Sequence, residues 1–125
     1  MTELELKDRF RSFSIRIVKM VDVMPHTISA TAIAKQVVRS GTSPYANYRA
    51  ACLGKSDKDF LNKLKMVEEE LDETGLWLDI IMATEIMPQH RVQPLFDESQ
   101  ELQKIIAKSI LTMKRKLGGL PLPPK

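Results

Sequence analysis

At 125 residues the chain is one domain, long enough to bury a single core without disulfides or metals. Hydrophobic residues at 43% and charged residues at 28% exclude a disordered or fibrous chain, and no apolar run approaches the roughly 20 residues that cross a bilayer. A net charge of +3 is too small by itself to mark a polyanion partner, and a lone cysteine excludes an internal disulfide. The acidic start Met1-Thr2-Glu3-Leu4-Glu5 has no apolar signal-peptide segment, so the expected location is the cytoplasm.

Leu6, Phe10, Phe13, Ile17, Val21 and Met24 recur at steps of three and four and predict a first amphipathic helix over about 2–24, ended by Pro25 and His26. Thr27 or Ser29 offers a cap for a second helix over about 29–53. Its inward stripe is Ile33, Gln36, Val37, Ser40, Pro44, Asn47 and Ala51, small and polar as well as apolar. Pro44 is expected to kink this helix or split it in two. Gly54 then stops it, and Ser56 or Asp57 starts a third helix to about Met87.

The third helix has a main stripe of Phe60, Leu64, Val67, Leu71, Leu78 and Met82, and a second apolar side carrying Met66, Leu76, Trp77 and Ile80. One stripe suffices for a four-helix monomer, so the second side predicts an oligomer interface. The segment 88–94, proline at both ends, reads as a loop, and a fourth helix follows over about 95–117 with Leu95, Ser99, Leu102, Ile106, Ile110 and Met113 inward. Gly118 and Gly119 end it, leaving residues 118–125 as an extended tail. The fold class is all-α: an antiparallel up-down four-helix bundle over residues 1–117, its second helix kinked near Pro44.

No positive sign of catalysis is present. The inward Glu-x-x-His pairs of a di-iron bundle are missing, and His26 and His90 fall beside prolines in the predicted loops. Cys52 has no histidine near it in sequence and reads as a small buried hydrophobe. No phosphate-cradling glycine loop occurs. No cofactor or metal is expected, and no catalytic residue is assigned.

A buried amide or hydroxyl without a partner costs roughly 2–7 kcal/mol, so the polar stripe of the second helix needs an answer. The acidic run at 68–73 supplies it: Glu69 and Glu73 are expected to reach Arg39, Ser40 and Asn47 in a structural network that sets helix register. Cations gather elsewhere. Arg9, Arg16 and Lys19 are placed on the outside of the first helix, and Lys104, Lys108, Lys114, Arg115 and Lys116 along the fourth. Such charges suit a solvated face and the negative end of a helix dipole, but in an oligomer they would merge into a surface that holds phosphate backbones. No aromatics are interleaved with them, so base stacking is not indicated.

The blocks Gln36-x-x-Arg39-Ser40-x-Thr42-Ser43-x-x-Ala46-Asn47-Tyr48-x-x-Ala51, Asp59-Phe60 and Glu69-x-Leu71-Asp72-Glu73-Thr74-x-x-Trp77-Leu78 resemble the bacterial four-helix bundle proteins, also called 23S rRNA intervening-sequence proteins. The likeness runs from about Phe10 to Met113. It implies an antiparallel four-helix bundle assembled as a ring-shaped homopentamer, and it carries over no catalytic residue. A related accessory protein of diversity-generating retroelements, similar in fold, implies RNA or DNA and a reverse transcriptase as partners. Five copies would carry about +15 in formal charge, enough to matter if it gathers on one surface. The leading expectation is therefore a non-enzymatic homo-oligomeric scaffold associated with nucleic acid. The alternative is a protein-interaction module that presents its surface or its Pro-rich tail to another protein, and neither reading involves a membrane.

Overall fold

The computed structural model describes residues 1–118; the tail at 119–125 lies outside the described residues. Four helices follow one another: α1 (Glu3–Asp22), α2 (Ile28–Cys52), α3 (Asp57–Ala83) and α4 (Gln89–Lys116). Three begin on side-chain caps, with Thr2, Thr27 and Ser56 each accepting from the backbone N–H three residues on. Cross-helix contacts give the topology. Ser14 meets Gly41 and Phe10 meets Tyr48, Ser40 meets Thr74 and Asn47 meets Glu70, and Asp57 meets Lys116 while Asp72 meets Gln103, so each helix runs antiparallel to the one before it. The result is an up-down four-helix bundle in which α1 and α4 are the neighbouring pair that touches least.

The core is one cluster threaded by Phe10, Phe13, Ile17, Val37, Leu64, Leu71, Leu78, Leu102 and Ile106, all essentially without solvent exposure. Burying each such side chain contributes about 1.5–3 kcal/mol. Phe10 lies against the Tyr48 ring with centroids 5.1 Å apart, tying α1 to the last turns of α2.

The helix bounds differ from the sequence expectation at α3 and α4. The third helix stops at Ala83, not Met87, because Glu85 adopts a left-handed φ of 58°. Ile86 N–H then bonds to the Ile81 carbonyl at 3.1 Å and Glu85 N–H to Met82 at 3.1 Å, the paired bonds of a Schellman cap. Met87 is thereby turned into the end of the core. A left-handed conformation costs a non-glycine residue about 1–2 kcal/mol. Glu85→Gly is expected to raise stability by about 0.5–1 kcal/mol after glycine's greater unfolded-state freedom is subtracted, read as a higher urea midpoint at unchanged slope.

The predicted loop at 88–94 is helix from Gln89 onward. Val92 is fully buried and continues the inward stripe of Leu95, Ser99 and Leu102 backwards by one step. That burial outweighs Pro94, which removes only one backbone bond near the start of the helix. Of the two outcomes expected at Pro44, division of the helix does not occur, since α2 runs as one helix through it.

The inward faces shift slightly as well. On α2 Gln36 is exposed, while Gly41 and Tyr48 join the buried face. On α3 Leu61 and Ile81 are buried in place of Phe60 and Met82, which flank the core half-buried, and Thr74 and Gly75 fill the gap between Leu71 and Leu78.

Candidate interaction surfaces

The α2–α3 seam holds the polar groups that the sequence singled out. Arg39 donates to the Glu73 carboxylate and, at 3.3 Å, to Gln36 Oε1. Glu73 also accepts from Trp77 Nε1 at 3.3 Å. Deeper in the seam, the Thr74 hydroxyl donates to the Glu70 carbonyl at 2.7 Å and lies 3.0 Å from Ser40 Oγ. Both hydroxyls are fully buried and both are satisfied. Asn47 Nδ2 donates to Glu70 Oε1 at 2.9 Å. Glu69 does not take part: it is exposed, because one residue is a 100° rotation and Glu70, not Glu69, faces α2. Thr74 is the member that apolar patterning passed over, although its threonine within an otherwise acidic and apolar helix was visible.

On the far side of α3, Met66 is 44% and Leu76 51% exposed, and Ile80 is half-buried. Trp77 is half-buried between that side and the α2 seam. It packs against the core cluster and closes the α2 seam through its bond to Glu73. Ile15 and Val18 on α1, 37% and 40% exposed and outside the expected core stripe of that helix, add further apolar surface.

The cations divide into paired and unpaired groups. Arg9 is not on the outside of α1. It forks onto Glu98 of α4 through Nε at 3.1 Å and Nη2 at 2.5 Å, a bidentate pair that clasps the least-packed seam. That hydrogen bond raises the Arg9 pKa above its ordinary value despite partial burial, with the Glu98 and Glu101 charges adding to it. Lys104 pairs with Glu101 at 3.5 Å and Lys116 with Asp57 at 3.1 Å, both exposed pairs worth little. Lys108 is exposed and Lys114 and Arg115 are half-buried, and none of these three forms an ion pair among the described residues. Arg115 Nε is buried without a hydrogen-bond partner. Arg16 and Lys19 are exposed and unpaired in the same sense.

Cys52 sits half-buried at the end of α2, where burial first and the Glu3 carboxylate second push its thiol pKa up. A raised pKa keeps it protonated and a poor nucleophile at neutral pH. His26 lies in the α1–α2 connection and His90 in the first turn of α4, both exposed. Among the described residues no three His, Cys, Asp or Glu gather as a metal site would need, and no helix is long and apolar enough to cross a membrane.

The described bundle is similar to the crystal structure of a protein of unknown function from the S23 ribosomal protein family of Bacteroides thetaiotaomicron. The two share 32% identity and a TM-score of 0.79 over 84% of this chain and 97% of that one. No curated protein sequence matches the chain. The model of the 23S rRNA-intervening sequence proteins matches residues 2–108, a span that holds the Arg39–Glu73 and Ser40–Thr74 contacts and most of all four helices. By that match and by its fold, the chain belongs to the 23S rRNA-intervening sequence protein family.

Proposed function

We propose that this protein is a non-enzymatic, cytoplasmic, homo-oligomeric scaffold whose basic surface holds RNA or DNA by the phosphate backbone. The observation that carries this reading is the end of α4. Residues 105–116 contain Lys108, Lys114, Arg115 and Lys116 and no acid, and of these only Lys116 has an ion-pair partner. Cations left without carboxylates are available to phosphates, and repeating the face around an oligomer multiplies the attraction. The exposed Met66 and Leu76 beside Ile80 supply the contact through which copies would associate, in a pentamer if this chain assembles as its family resemblance implies. Contacts to the backbone carry no base identity, so binding is expected to be nearly independent of sequence.

Binding to a short duplex and to a single strand, measured by fluorescence anisotropy across a salt series, tests the reading. Each phosphate neutralised contributes a slope of about 0.9 in log K against log salt for duplex DNA and about 0.7 for single strands. Lys108→Gln with Lys114→Gln is expected to weaken binding for every sequence alike and to lower the slope by nearly two per occupied site. Binding that ignores salt, or no binding at low salt, rules the reading out.

A second reading rests on the same apolar face. Met66 and Leu76 would seat another protein, such as a reverse transcriptase, in place of a further copy, and the chain would then remain a monomer by itself.

A further inference from the structure

At the opposite end of α4 from Lys108 and Arg115, roughly 30 Å along the helix, a second basic feature has a different shape. A cleft of about 250 Å³ opens between the last turns of α1 and the first of α4. Arg16 and Lys19 of α1 and Arg91 of α4 line it, over an apolar floor that includes Met20, Met87 and Leu95. No carboxylate lines the cleft, and none of the three cations forms an ion pair among the described residues.

The helix end adds to the positive charge of the cleft. Arg91 occupies the first turn of α4, where the helix dipole is positive and a cation is disfavoured. That helix start has no side-chain cap and no acidic residue in its first turn to offset the charge. Two further cations from α1 face the same space. Three like charges beside a positive helix end attract an anion, and two of them are arginines, whose planar forks match phosphate oxygens bidentately. The floor specifies the rest of the ligand: methionine and leucine side chains accept a compact apolar or planar body, not a second charge. The cleft is smaller than the roughly 300–1,000 Å³ of pockets that enclose a drug-sized ligand, so it holds the head of a ligand and leaves the remainder outside.

We propose that the Arg16–Lys19–Arg91 cleft is a binding site for a nucleoside monophosphate group, with the phosphate on the three cations and the nucleoside against the Met20–Met87–Leu95 floor. Such a group comes from a free nucleotide or from the 5′-phosphorylated end of an RNA. The site does not depend on backbone binding at the far end of α4.

Calorimetric titration and thermal shift with adenosine 5′-monophosphate, inorganic phosphate and adenosine test the proposal. The monophosphate is expected to bind at least tenfold more tightly than inorganic phosphate and to raise the melting temperature, while adenosine does neither. Arg91→Gln and Arg16→Gln should each weaken the monophosphate tenfold or more. Without anion, Arg91→Gln should melt at or above the wild-type temperature, because it removes repulsion; a merely structural arginine would lower it. A short RNA with a 5′-phosphate binding better than its 5′-hydroxyl twin while the free nucleotide also binds identifies both sources. Lys108→Gln with Lys114→Gln should leave the nucleotide titration unchanged, which separates this site from the backbone reading. No heat or shift with the monophosphate, or equal binding by Arg91→Gln, overturns it.

Discussion

Gly41→Val is expected to destabilise the bundle by about 2–3 kcal/mol, a fall in melting temperature on the order of 10 °C for a domain of this size. The cause is the closeness of α1 to α2. A Cβ built on Gly41 would stand 2.8 Å from Ile17 Cγ2 and 2.9 Å from Cγ1, well inside van der Waals contact. Ile17 cannot step aside, because it is fully buried and β-branched. Ser14, nearly one turn before Ile17, donates to the Gly41 carbonyl at 3.1 Å and holds the two backbones at this spacing. Gly41→Ala should cost less, since alanine recovers about 1 kcal/mol of helix propensity against the clash. An Ile17→Ala background supplies the decisive control. It empties the space the new methyl would enter, so the penalty of Gly41→Ala should shrink or reverse, a coupling visible in a double-mutant cycle of urea midpoints. Additive effects would mean that Gly41 is not what lets the helices approach.

Met66→Glu combined with Leu76→Glu is expected to dissociate the proposed oligomer while leaving helix content and the monomer's melting behaviour nearly intact. Both side chains are already about half-exposed, so the isolated bundle loses little. At a closed interface the new charges would be desolvated without partners, a penalty of about 4 kcal/mol or roughly a thousandfold in the dissociation constant. Trp77→Ala should do the reverse. The indole packs on the core and its N–H donates to Glu73, so its loss should lower the melting temperature by several degrees and leave the particle mass unchanged. Sedimentation beside thermal melts separates the two kinds of variant. A Met66/Leu76 double variant that keeps its mass places the interface elsewhere, with Ile15 and Val18 on α1 the next face to charge.

The bundle was legible in the sequence because its stripes are long and its caps ordinary: Thr27 and Ser56 stand where the periodic residues begin. The polar stripe of α2 was legible for the same reason, since a buried hydroxyl such as Ser40 requires a partner somewhere along α3. What failed was phase and punctuation. Glu69 and Glu70 differ by one position and 100°, and nothing in an acidic run says which of its members faces inward. Glu85 ends α3 in a conformation normally marked by glycine, so no terminator was visible. Two prolines suggested a loop at 88–94, yet Val92 is buried at the step that extends the α4 stripe, and tertiary burial decided the matter. The Arg16–Lys19–Arg91 cleft was hidden for a further reason. Its cations come from helices at opposite ends of the chain, and only the antiparallel closure of α1 on α4 brings them to one cleft.

Assembly through the outer face of α3 is the claim on which the scaffold reading turns, and light scattering of the purified chain tests it most directly. One chain has a mass of 14.2 kDa. The expected result is a single species near five times that mass that persists on dilution, and that takes up a short labelled RNA or DNA at low salt and releases it at moderate salt. A monomer at every concentration, unchanged by either nucleic acid, would contradict the account.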